Sequence, residues 1–114
     1  MSFKEINLEE GRPTVSEGRE RLIRELTLAR DEKVRAVKLI HGYGSSGTGG
    51  RLRVEVRRYL GLLKEQKRIV DFIPGEDYSI FDKTTRKLLD SEPHLRQDSD
   101  LNRYNNGITW VVLR

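Results

Sequence analysis

The chain has 114 residues, 22 of them basic and 18 acidic, with hydrophobic and charged residues each at 35%. That is room for one domain spanning 1–114, with enough apolar side chains for one modest core. With no cysteine, a disulfide framework, a thiolate metal site and a cysteine nucleophile are all excluded. The N-terminal Met1-Ser2-Phe3-Lys4-Glu5 has no apolar signal core and no run reaches the ~20 residues of a membrane span, so a cytoplasmic protein without membrane contact is expected.

Phe3 to Leu8 alternates loosely and reads as a short first strand. Thr14-Val15-Ser16-Glu17 offers a capping box. The helix behind it sets Val15, Leu22, Leu26 and Ala29 on one stripe and ends near Arg30 to Lys33. Val34 to Ile40 is β-rich and runs into a glycine cluster, which marks an interior strand. After the loop His41 to Gly50, a second helix carries Leu52, Val56, Tyr59, Leu60 and Leu63 on one face and Arg51, Arg53, Arg57, Arg58 and Lys64 elsewhere. Ile69 to Ile73 is a third strand, stopped by Pro74-Gly75.

Residues 76–104 read as an acidic insertion, with a helix from Ser79 to Leu89 and a turn-rich tail. Its few apolar anchors (Tyr78, Ile80, Phe81, Leu88, Leu89) predict that Ser91 to Arg103 can be removed without loss of the fold. Asn105-Asn106-Gly107 signals a tight turn before the strand Ile108 to Leu113, which is apolar on both faces and therefore central, with Trp110 in the core. The order predicts an α/β fold: a two-layer sandwich of a mixed four-stranded sheet with two main helices, plus an extra helix in the insertion.

Charge is unevenly placed. Residues 51–68 hold seven basic and two acidic residues, whereas 69–102 hold four basic and eight acidic ones. A basic block behind a glycine-rich loop points to a phosphate-bearing partner, with a plain solvated helix face as the alternative. The loop Gly42-Tyr43-Gly44-Ser45-Ser46-Gly47-Thr48-Gly49-Gly50 lets backbone come close to a ligand. The helix that follows offers free N–H groups, and Arg51 and Arg53 stand in its first turn, where the macrodipole disfavours cations unless an anion joins them.

Two nucleotide motifs fail. Gly47 is followed by Thr48 with no lysine, which rules against a Walker A loop. Gly42-x-Gly44-x-x-Gly47 matches the dinucleotide fingerprint formally, but no acidic residue stands ~20 positions on, Asp71 comes too late, and the chain is small for that fold.

His41-Gly42-Tyr43-Gly44 with Leu52-Arg53 behind it resembles the small MutS-related (Smr) domain, in which a strand ends in His-Gly-x-Gly and Leu-Arg opens the next helix. Asn105-Asn106-Gly107-Ile108-Thr109-Trp110-Val111-Val112-Leu113 is similar to that family's last strand. The resemblance implies nucleic-acid binding, in some members with nicking of DNA or cleavage of RNA. This sequence departs from the family's opening Leu-Asp-Leu-His-Gly or Leu-Asp-Leu-Arg-Gly. Ile6-Asn7-Leu8-Glu9, then Glu10-Gly11, takes its place, so an amide stands where the family has an acid linked to nuclease activity.

The expected function is nucleic-acid binding, to the phosphate backbone or to branched structures, through Gly42, Tyr43, Gly44, Gly47, Gly49, Gly50, Arg51, Arg53, Arg57 and Arg58, with Tyr43 either stacking on a base or covering the core. An endonuclease is the alternative, with His41 as acid/base and Arg53 as electrostatic stabiliser. A module docking a protein partner through its acidic segment is a third. Glu9, Glu10 and Asp71 show no ligand spacing, so no metal site and no cofactor are predicted, although a divalent ion assisting cleavage is left open.

Overall fold

The computed structural model describes residues 3–43 and 49–114. Strands β1 (Phe3–Asn7), β2 (Ala36–Ile40), β3 (Asp71–Pro74) and β4 (Ile108–Val112) form one sheet in the order β1-β2-β4-β3. β1 and β2 are parallel, and β4 runs antiparallel to both β2 and β3. The C-terminal ends of β1, β2 and β3 therefore share one end of the sheet. As its sequence suggests, β4 is central and buried along its whole length.

Helices α1 (Val15–Asp31) and α2 (Gly49–Glu65) cover one face. The expected capping box is present: Thr14 Oγ1 accepts from the Glu17 N–H at 3.1 Å, and Glu17 Oε1 accepts from the Thr14 N–H at 2.8 Å. Leu22, Leu26, Ala29, Leu52, Val56, Leu60 and Leu63 pack on Ile6, Val37, Leu39 and Val111 of the sheet. The helices touch closely at Gly18, where a Cβ would stand 2.6 Å from Leu52 Cδ1. That contact fixes the start of α2 over the sheet. Among the described residues no helix is long and apolar enough to cross a membrane.

Segment 76–104 differs most from expectation. Its helix, α3, begins at Lys83 rather than Ser79, because Asp82 caps it by accepting from the Thr85 N–H at 2.9 Å. A 3-10 helix follows at Pro93–Gln97. Together with Tyr78 they cover the second face of the sheet, where Tyr78, Leu88, Leu89 and Leu95 bury Trp110, Ile73 and Ile108. Tyr78 and Trp110 have ring centroids 5.6 Å apart. Lys38, alternating outward from Val37 and Leu39, is 5% exposed and meets Asp98 at 3.0 Å and Asp100 at 2.6 Å.

The segment is thus part of the core, and the expectation that Ser91 to Arg103 is dispensable is corrected. Leu95, hidden in a polar tail, is an anchor, whereas Phe81 and Ile80 are exposed at 83% and 43%.

The chain turns onto this second face at Gly75, directly after β3. A Cβ there would overlap the Asn105 carbonyl oxygen and stand 2.8 Å from that of Ile108, both backbone atoms that cannot swing aside. Gly75→Ala is expected to destabilise the protein by about 2–3 kcal/mol, read from the midpoint of urea unfolding. An unchanged midpoint would mean that the 105–108 backbone moves freely.

Candidate nucleic-acid interface

At the end of β2, His41 is fully buried. Its Nδ1 is 2.8 Å from the Gly42 carbonyl and its Nε2 is 2.8 Å from Thr109 Oγ1. A carbonyl only accepts, so Nδ1 carries the proton and the Thr109 hydroxyl donates to Nε2. Thr109 Oγ1 in turn accepts from Arg57 Nε at 3.1 Å, and Arg57 forms a two-pronged pair with Glu76 at 2.7 and 2.8 Å.

A neutral imidazole satisfies every member of this chain. Burial is the main force lowering the His41 pKa to about 4, and the cations Arg57 and Arg53 add to it against the Gly42 carbonyl and Glu76. Burial works the other way on Glu76, but the Arg57 hydrogen bonds prevail and hold its carboxyl below the usual range.

This network ties three elements into one rim. Arg57 Nη2 also donates to the Ile108 carbonyl at 3.2 Å, and the N–H groups of His41 and Gly42 both donate to the Gly107 carbonyl at 3.0 Å. Gly42 has φ +77°, and a Cβ there would run into the Glu9 carboxylate. Asn7 Oδ1 accepts from the Glu9 N–H at 2.9 Å and so shapes the turn after β1. Arg21 Nη1 holds the same turn through the Glu10 carbonyl at 2.7 Å.

The expected basic set divides in two. Arg57 is engaged with Glu76, and Arg58 pairs with Glu55 three residues away. Arg51, exposed, and Arg53, half-buried, make no ion pair among the described residues. Arg53 lies near enough to depress the pKa values of both His41 and Glu76. α2 has no acidic residue in its first turn, so its N-terminal end keeps an unbalanced positive field. Tyr43 is 57% exposed and covers no core, its ring instead lying beside Gly107.

Gly49 and Gly50 open α2, whereas Gly44 and Gly47 lie outside the described residues. Glu9 and Glu10 lie just beyond β1, but Asp71 begins β3 at the far end of the sheet, bound to Thr84 and Lys64. Among the described residues no three His, Asp or Glu side chains gather as metal ligands.

Sequence reasoning missed Thr109 and Glu76. A lone threonine in an otherwise apolar central strand is a signal for a buried polar partner. Nothing in the sequence couples Glu76 to Arg57.

The parallel strand ends, the His41-Gly42 turn and the cations opening α2, which have no ion pair among the described residues, define an α/β domain of one particular kind. The model of the Smr domain matches residues 11–77, more than half of the chain, and the protein belongs to that family. The crystal structure of the Smr domain of Thermus thermophilus MutS2 is similar to it with a TM-score of 0.59 at 24% identity, over 97% of this chain and 98% of that one. At that identity the likeness shows the fold. No curated protein sequence matches this one significantly.

Proposed function

We propose that this protein binds nucleic acid, with the phosphate backbone received at the first turn of α2 by Arg51, Arg53 and the free N–H groups of the helix. The observation that carries this reading is the division of the basic helix. Arg57 and Arg58 are neutralised by the protein's own carboxylates, while the two arginines nearest the helix N-terminus have no ion-pair partner among the described residues. Cations held against a helix dipole are favourable once an anion sits between them. The Smr family, with its nucleic-acid-binding and nuclease members, supports the same partner.

Binding fits the site better than cleavage does. A general acid/base must reach the reacting oxygen and change protonation near working pH. His41 is buried, with both ring nitrogens bound and its pKa lowered to about 4. Arg53 is suited to holding a phosphate whether or not that phosphate reacts.

Non-specific affinity in roughly the micromolar range at physiological salt is expected, as is usual for contacts of this kind. The double change Arg51→Ala, Arg53→Ala should weaken binding about ten-fold on unrelated sequences alike, measured by fluorescence anisotropy. Unchanged affinity would make this end of α2 a solvated surface and nothing more.

A further inference from the structure

Three of the protein's eight Phe, Tyr and Trp side chains are left in solvent: Tyr43 at 57%, Tyr104 at 71% and Phe81 at 83%. We propose that they form a ridge that stacks unpaired bases, making single-stranded nucleic acid the preferred partner. The inference rests on the nucleic-acid reading above and deepens it.

The 101–107 segment connects the three rings. At one end, Gly107 lies beside Tyr43, whose Cδ1 is 3.0 Å from where a Gly107 Cβ would stand. At the other end, Asn102 Oδ1 accepts from the Ile80 N–H at 3.0 Å and the Asn102 N–H donates to the Tyr78 carbonyl at 2.9 Å, which holds the turn bearing Phe81. Tyr104 stands between. From Asn102 to Gly107 the chain reaches at most about 18 Å, the scale of a few nucleotides.

Two further observations favour a strand of nucleic acid over an apolar protein surface. Tyr104 has φ +56°, a left-handed conformation that a bulky side chain adopts at a cost and that here turns its ring into water. Its neighbour Arg103 is exposed and makes no ion pair among the described residues, while Arg53 lies near His41, beyond Gly107. Of the carboxylates near the segment, Asp98 and Asp100 face inward to Lys38, their side chains only 13% and 20% exposed, and Glu76 is paired with Arg57, while Asp77 stands exposed before Tyr78. Aromatic rings interleaved with free cations are what a flexible strand with accessible bases needs. A continuous duplex buries those bases and would use the cations alone.

The test is anisotropy with a labelled 12-nucleotide oligothymidine, the matching oligouridine and a blunt 12-base-pair duplex. The wild type is expected to bind one or both single strands about ten-fold tighter than the duplex. Tyr104→Asn with Phe81→Ser removes two rings, and asparagine tolerates the left-handed backbone at 104. This variant should lose about ten-fold or more on the single strands and less than about two-fold on the duplex. Tyr104→Phe should bind like the wild type.

Equal wild-type affinity for single strand and duplex, or equal weakening of both in the double variant, would overturn the ridge while leaving the phosphate site standing. No binding to any probe would overturn the phosphate site and the ridge with it.

Discussion

Excising residues 91–103 and bridging the ends is expected to abolish the cooperative melting transition. The cut removes Leu95, which is 2% exposed against Trp110 and Tyr78, and truncating such a leucine typically costs about 2–5 kcal/mol. It also removes Asp98 and Asp100, the two carboxylates that hold the Lys38 ammonium.

Burial by itself disfavours that charge, but the hydrogen bonds to Asp100 and Asp98 outweigh it and hold the Lys38 pKa above its ordinary value. Losing hydrogen bonds to a charged group of this kind costs about 1.5–3 kcal/mol. The two losses together reach the lower part of the stability range of a typical small domain, about 5–15 kcal/mol. Leu95→Ala alone should lower the melting temperature while preserving a sharp transition. A deletion variant that melts cooperatively near the wild-type temperature would show that α3 and Tyr78 cover the second face unaided.

The second large effect is a loss of stability in mild acid, traced to His41. Its pKa falls from 6.5 to about 4 on folding, so between these values the unfolded chain binds a proton that the folded chain refuses. Stability from this group is therefore full above pH 6.5 and is lost as the pH falls towards 4. The loss between pH 7 and pH 5 is about 2 kcal/mol.

Urea unfolding at pH 7, 6 and 5 measures it. The pH 5 limit keeps the readout above most carboxylate titration. His41→Gln keeps a polar group for Thr109 without a titrating nitrogen, and its stability should change little over that range. A wild type as flat as this variant would mean that His41 is more accessible to protons than its burial suggests.

The fold was legible where one physical signal dominated. Period-3.6 stripes marked α1 and α2, the Thr14–Glu17 box placed the start of α1, and the two-sided apolar run marked β4 as central. The second face was not legible, because its cover is scattered. Tyr78, Leu88, Leu89 and Leu95 lie on a turn, a short helix and a 3-10 helix, so no periodic pattern announces them. Charge misled in the same place: Asp98 and Asp100 add to an acidic surface in the sequence but lie over Lys38 in the fold.

At the site, Gly42 and the α2 cations could be read from residue type and spacing. Which arginines were free could not. Arg57 and Arg53 differ only in what the fold sets beside them, a carboxylate 19 residues along the chain for one and no ion-pair partner among the described residues for the other.

The central claim, that Arg51 and Arg53 receive phosphates, is tested most directly by the salt dependence of binding. Each neutralised phosphate contributes about 0.7–0.9 to the slope of log Kobs against log salt. The wild type should show a linear loss of affinity with salt, and the Arg51→Ala, Arg53→Ala protein a slope shallower by about 1.4–1.8. Equal slopes in the two proteins would contradict the account, because phosphates would then be held elsewhere.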